Sequence, residues 1–286
     1  MRAALMTAFG EPLSVTAVPD PALPDDGVVL EVLASGVCRS DWHGWQGHDP
    51  TIVLPHVPGH EMAGSIVSVG SGVRGFQVGD LVTVPFCCGC GRCAQCRAGQ
   101  TQVCDDEVQP GFTQWGSFAE LVALPHADVN LVALPEDSDP VAMAALGCRF
   151  MTAWAAIVEH GAVRPGEWVA VHGCGGLGLS LVMVAVARGA RVVAVDLDAG
   201  RLALARSLGA EAVVDASSGD PTLAVVDATG GGAQVSVDAV GSARTAAASV
   251  LSLRKRGRHL QVGLMLDEDR EAPMPMARVI AYELTL

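Results

Sequence analysis

The feature that most constrains this chain is the six-residue run Gly173-Cys174-Gly175-Gly176-Leu177-Gly178. The short apolar strand pattern 168–172 precedes it. An apolar run over 177–188, long enough for a buried helix, follows it. Glycines at 173, 175 and 178 match G-x-G-x-x-G, a weak signal alone and a specific one between a strand and a helix. The first permits a tight turn, the second lets backbone approach a pyrophosphate, and the third lets the helix pack close to the strand. The helix opening at Leu177 offers N–H groups and a positive dipole end to phosphates.

The alternation continues downstream. Residues 191–195, 212–214, 235–240 and 259–262 read as strands, and 201–208 as a helix with leucines and alanines on one face. Such β-α alternation implies a parallel sheet with helices on both faces. Asp196 closes the second strand. A carboxylate there accepts hydrogen bonds from ribose hydroxyls and repels a 2′-phosphate, so NAD is expected rather than NADP.

The first part of the chain differs. Residues 3–7, 28–34, 63–69 and 81–84 are apolar or β-branched runs separated by Gly, Pro, Asp and Ser. They predict an irregular β-rich domain with long loops. The 286 residues suit two domains, and with only 17% charged residues no long disordered stretch is expected. The boundary is expected at 149/150. Residues 280–286 read as a final strand.

A net charge of −13 makes the chain a poor polyanion binder, which excludes nucleic acid as a partner. The one basic cluster, Arg254-Lys255-Arg256, reads as a solvated helix end. No run of ~18 uncharged apolar residues exists to span a membrane, and the first residues do not form a secretory signal. The cytoplasm is the expected compartment. There, nine cysteines do not suggest a disulfide framework.

Four of those cysteines carry their own explanation. Cys90-x₂-Cys93-x₂-Cys96-x₇-Cys104 supplies four thiolates, which close a tetrahedral zinc site with no open position. The competing reading is an iron–sulfur cluster. The ferredoxin run places its fourth cysteine after three residues and follows it with proline; here the gap is seven and Asp105 follows. Zinc is therefore expected. Cys87 and Cys88 read as buried small residues.

Other metal-capable groups are scattered: Cys38, Asp41 and His43 in one segment, His60 and Glu61 in another. A catalytic zinc needs three N or S ligands and an open position, and spacing alone cannot join these residues.

The order Cys38-Arg39-Ser40-Asp41-x-His43, then Gly59-His60-Glu61-x-x-Gly64, then the four cysteines and the glycine run resembles the zinc-dependent alcohol dehydrogenases of the medium-chain dehydrogenase/reductase superfamily. The resemblance spans essentially the whole chain. It implies an α/β protein. A β-rich GroES-like catalytic domain would occupy 1–149, with a structural-zinc lobe at 85–105. A Rossmann NAD-binding domain, a doubly wound parallel sheet, would occupy 150–286. The family's chain then returns to complete the first domain, and that return segment is expected to be missing here.

Residue by residue, the resemblance implies Cys38, His60 and Cys148 as catalytic zinc ligands and Glu61 as an alternative ligand. Asp41 would orient His60. Arg39 would contact the pyrophosphate, Arg201 a ribose, and Thr152 the nicotinamide. Ser40 and His43 would relay the alcohol proton to water. Phe86, Trp42, Trp45 and Trp115 are candidate pocket residues. The implied cofactors are two zinc ions and NAD, the substrate a small alcohol or aldehyde, and the assembly a homodimer or homotetramer. Two other readings stay open: a related zinc enzyme acting on a polyol, hydroxy amino acid or glutathione–formaldehyde adduct, and a non-catalytic NAD- or zinc-binding relative.

Overall fold

A computed structural model of the chain describes residues 1–266 and 269–286. It divides into two compact units, Met1–Cys148 and Arg149–Leu286.

The first unit is antiparallel. A hairpin pairs β1 (Arg2–Leu5) with β2 (Ser14–Ala17). A five-stranded sheet contains β3 (Val28–Gly36), β4 (Glu61–Val69), β5 (Leu81–Thr83), β6 (Leu121–Leu124) and β7 (Val132–Ala133) in the order β6-β3-β4-β5-β7. Val28, Leu30, Met62, Ile66, Val82, Val122 and Leu124 form its core. The helices are short: α1 (Arg39–Trp45), α2 (Ala94–Arg97), α3 (Ala127–Asn130) and α4 (Pro140–Ala144). The last starts where the Asp139 carboxylate accepts the Val141 N–H, with Pro140 in the first helical turn.

The second unit begins with α5 (Met151–Trp154) and then alternates. Its strands are β8 (Trp168–His172), β9 (Arg191–Asp196), β10 (Ala212–Asp215), β11 (Ala233–Asp238) and β12 (Leu253–Gln261). Between them run α6 (Gly176–Ala187), α7 (Ala199–Ser207), α8 (Pro221–Thr229) and α9 (Ala243–Leu251). All pairs are parallel, in the order β10-β9-β8-β11-β12. Every residue of the central strand β8 is buried, as a strand covered on both faces requires. The order reverses beside β8, which opens a crevice at the carboxyl ends of the strands.

Two expectations are corrected. Residues 280–286 do not form a strand. Its first three residues end α10 (Met276–Tyr282), and only Thr285 makes a β-bridge, to Arg258. Met276, Ala277, Arg278 and Ala281 favour helix, and the Arg278 guanidinium stacks on Tyr282 one turn later, 3.7 Å from the ring centre. Arg254-Lys255-Arg256 is not a helix end either. It opens β12, at the sheet edge, with all three side chains exposed. Charges in that position deter edge-to-edge pairing.

Candidate active site

The register of two strands assembles the first group. β3 and β4 pair with Gly36 opposite Glu61, so the end of one lies beside the start of the other. Cys38 follows β3 and His60 precedes β4, and the register brings both to the same end of the sheet. Cys148 arrives by a separate route. Phe86 N–H donates to the Gly147 carbonyl at 2.8 Å. Gly147 in turn lies so close to the Val84 carbonyl that a Cβ has no room. The ligand-capable atoms of Cys38, His60, Glu61 and Cys148 all lie within 4.8 Å of one another.

Asp41 organises this group. Cys38 caps α1, and Asp41 at the third helical position accepts the Cys38 N–H with Oδ2 at 2.8 Å. Its Oδ1 lies 2.8 Å from Nδ1 of His60. With Nδ1–H committed to the carboxylate, the lone pair of the neutral ring sits on Nε2. That Nε2 is buried and has no hydrogen-bond partner among the described residues. A buried polar atom left so costs about 1–3 kcal/mol unless something binds it. Two thiols and one imidazole nitrogen are the donor chemistry of a zinc site with its fourth position open, and the carboxylate beside them can take that position in turn, so these residues fit the ion.

The charges agree with that fit. Hydrogen bonding from Cys148 pulls the Cys38 thiol down to about 3, against burial and with help from His60. The same contact and burial push Cys148 up. Burial works to lower His60, but Asp41 and Cys38 outweigh it and hold the ring at about 9. Without the ion the ring therefore carries a second proton, on Nε2, and a metal ion would displace that proton and the Cys148 proton on binding, leaving the neutral ring with its lone pair.

Ser40 Oγ lies 3.8 Å from Cys38 Sγ. His43, also on α1, is half-buried, and its Nδ1 lies 3.1 Å from Nδ1 of His48. Arg39 stacks on Trp42, with Cζ 3.7 Å from the ring centre. Phe112 packs against the His60 ring at 5.3 Å between centres. Neither Phe112 nor His48 is legible as a site residue in the sequence, because no motif or period points to either. The indoles of Trp45 and Trp115 are spent on backbone, donating to Glu11 O at 2.6 Å and Pro55 O at 3.1 Å.

The second group is local. The Sγ atoms of Cys90, Cys93, Cys96 and Cys104 also lie within 4.8 Å of one another. Backbone N–H groups point at the sulfurs: Cys93 to Cys90 at 3.4 Å, Cys96 to Cys93 at 3.4 Å, and Asp106 to Cys104 at 3.3 Å. Such donors favour thiolates, and the N–H of Cys96 leads in lowering Cys93 to about 6. This closed set of four sulfurs fits a structural zinc ion. Asn130 braces its base, accepting Gly89 N–H at 2.8 Å and donating to Gly89 O at 3.0 Å. Cys87 and Cys88 lie apart from the group, buried, with thiols pushed up to about 11 and about 12 by burial.

In the second unit, Gly173 adopts a φ of +94° as the chain leaves β8, and Gly175 caps α6. A Cβ on Gly178 would run into the Gly173 carbonyl. A Cβ on Gly175 would meet nothing within 4 Å, so an open cradle lies over that backbone, as a bound pyrophosphate requires. The Arg149 guanidinium lies against Gly176, while Leu177 packs on the core and Thr152 sits half-buried in α5. Asp196 accepts N–H bonds from Cys174 at 2.6 Å, Leu197 at 2.8 Å and Asp198 at 2.9 Å. Arg201 approaches it at 3.9 Å. A cavity of about 600 Å³ opens here, lined by His172, Gly173, Asp196, Arg201, Ser242 and Thr245 among others. Its size and its place at the strand ends suit a nucleotide.

Comparison with known proteins decides the family. The alcohol dehydrogenase GroES-like domain matches residues 24–136 and the zinc-binding dehydrogenase domain residues 176–286. An alcohol dehydrogenase of Geobacillus stearothermophilus is 38% identical over 233 residues, 81% of this chain and 68% of that protein. The chain belongs to the zinc-dependent medium-chain alcohol dehydrogenases. An NAD-dependent alcohol dehydrogenase of Sulfurisphaera tokodaii is 35% identical over 276 residues, 92% of this chain and 78% of that relative. The alcohol dehydrogenase of Thermus sp. ATN1 superposes with a TM-score of 0.92 at 34% identity, covering 100% of this chain and 83% of the other. Members of this family oxidise alcohols, and this chain is an enzyme of that class. No helix among the described residues is long and apolar enough to cross a membrane.

Proposed function

We propose that this dehydrogenase reversibly oxidises an alcohol to an aldehyde or ketone, with NAD as hydride acceptor and zinc held by Cys38, His60 and Cys148. The observation that carries this reading is the buried, unpartnered Nε2 of His60 among two thiols and a carboxylate. Zinc bound there supplies a Lewis acid that makes an alcohol acidic enough to ionise near neutral pH. NAD supplies the carbon that accepts the hydride.

The chain's own residues do the rest. Asp41 holds His60 in the tautomer that presents Nε2. Glu61, buried beside them, is the alternative ligand. Ser40, next to Cys38, takes the hydroxyl proton, and His43 is the outer base that passes it on. Cys90, Cys93, Cys96 and Cys104 hold a second zinc ion, which braces the lobe and takes no part in the chemistry. Gly173, Gly175, Gly176, Leu177 and Gly178 cradle the pyrophosphate, and Asp196 and Arg201 flank the adenosine ribose. Arg39 and Thr152 complete the cofactor contacts. Asp196 spends three of about four acceptor directions on backbone, so one remains for a ribose hydroxyl. We further propose a homodimer or homotetramer in the cytoplasm, where the nine free thiols would stay reduced.

An activity screen tests the reading: primary, secondary and aromatic alcohols, with NAD and NADP side by side. NAD-linked oxidation with two zinc ions per chain, falling to one in Cys38→Ala, is expected. A preference for NADP would remove the role given to Asp196, and a Cys38→Ala protein that still binds two ions would remove the ligand assignment.

A further inference from the structure

The contact between His43 and His48 is unexplained by the relay as described. The two Nδ1 atoms lie 3.1 Å apart. A hydrogen bond between two neutral imidazoles needs one ring to donate and the other to accept. The arrangement is built rather than accidental. After α1 the chain turns at Gly47, whose φ is +80°, and Gly47 N–H donates to Gly44 O at 3.0 Å. His48 N–H then donates to the His43 carbonyl at 3.0 Å, so backbone holds the two residues in register. The Trp42 indole stands edge-on to both rings, with centres 5.0 and 5.8 Å away.

We infer that His48 is a positioning residue for the proton relay: it accepts Nδ1–H of His43 and so fixes that ring in the tautomer whose Nε2 takes up the proton. This rests on the reading of His43 as outer base given above. A free neutral imidazole does not hold its proton on Nδ1 by itself, so a base that must receive at Nε2 needs an acceptor at Nδ1. When Nε2 of His43 gains the relayed proton, the new N–H bond makes an imidazolium. The bond from its Nδ1–H to His48 then becomes charge-assisted and stronger. One proton enters at Nε2 and leaves from there to water; no electrons move. His48 thus does for His43 what a carboxylate does for the histidine of a hydrolytic triad. It does so without adding a fixed negative charge. The charged residues near the pair in sequence are Arg39, Asp41 and Asp49. Arg39 is held on Trp42, and Asp49 turns its carboxylate to the N–H and hydroxyl of Thr51 at 2.9 and 2.6 Å.

Two substitutions in the zinc-loaded enzyme separate this role from simple packing. His48→Phe keeps a ring beside Trp42 and removes the acceptor; His48→Asn removes the ring and keeps a side-chain acceptor. The expected result is that kcat/KM for alcohol oxidation falls roughly tenfold in His48→Phe, a part of the ~10²–10⁴ that a positioned base contributes. Its acid limb should also move to lower pH, because an imidazolium without the acceptor is less stable. His48→Asn should restore most of the rate and the limb. Nitrogen-15 NMR of the imidazoles, without NAD, should show His43 as the Nδ1–H form in wild type and His48→Asn but not in His48→Phe. A wild-type pH profile and His43 tautomer in His48→Phe, with His43→Ala impaired, would overturn the role of His48 alone. An unimpaired His43→Ala would overturn the relay itself.

Discussion

One carboxylate ties the backbone of Cys38 to the ring of His60: Asp41 accepts the Cys38 N–H with Oδ2 and meets His60 Nδ1 with Oδ1, both at 2.8 Å. A helix cap and the orientation of the His60 ring therefore depend on the same side chain. Asp41→Asn should weaken zinc binding by roughly 10–100-fold, the usual cost of losing such a partner. Titration with a competing chelator reads this directly. The variant should drop to one zinc ion per chain at a chelator level that leaves wild type with two. Unchanged retention would separate the cap from the metal.

Asn130 is the corresponding brace for the four-cysteine lobe. Its amide closes a two-bond ring on Gly89, at 2.8 and 3.0 Å, and it is buried. Asn130→Ala leaves both backbone groups of Gly89 unsatisfied, which should cost about 2 kcal/mol in urea denaturation. Zinc release on treatment with a thiol reagent should be faster than in wild type. Equal release rates would show that the four sulfurs hold the lobe without help.

The glycines of the nucleotide loop should fail in different ways. At Gly178 a Cβ meets the Gly173 carbonyl, so Gly178→Ala should lower the melting temperature by several degrees whether or not cofactor is present. At Gly175 the space is open, with an ordinary φ of −73°. Gly175→Ala should therefore keep its melting temperature and lose NADH affinity, read by quenching or enhancement of fluorescence. A Gly175→Ala protein that binds NADH normally would refute the cradle.

Part of the acid sensitivity should come from the second unit. His172 is buried, its Nε2 3.3 Å from Ser252 Oγ, and burial pushes it down to about 4. His259, bonded through Nδ1 to Ser249 at 3.0 Å, is also lowered by burial. For both, the unfolded state takes up protons first as pH falls below about 6.5, and the folded state resists. Stability is thus full above that pH and is lost progressively towards pH 4, by about 3 kcal/mol from His172 alone. Melting curves between pH 8 and 4.5 should show the decline. A flat curve over that range would contradict the buried neutral rings.

Local signals were legible in the sequence. The strand 168–172 has the bounds its composition implies and the following helix is displaced by one residue at each end, because a continuous apolar run bounded by glycines leaves little choice. The four cysteines lie within fifteen residues, so spacing alone suggests the cluster. The first group could not be read that way. Cys38 and His60 meet through a β register, and Cys148 through the fit of Gly147 on Val84, neither of which leaves a pattern in the chain. Resemblance supplied what spacing could not. Asn130, Phe112 and His48 escaped both routes, since each acts by a contact with a residue distant in pattern if not in number. The misread strand at 280–286 shows the reverse error: the Arg278–Tyr282 stack and the helix formers around it carry the helix to Tyr282.

The two ligand-capable groups close at different points along the chain. The four-sulfur set is complete once residue 104 has emerged; the other waits for Cys148, long after Cys38, His60 and Glu61 have emerged. A chain made from its amino end therefore offers metal two successive docking opportunities, and the earlier is the self-contained one.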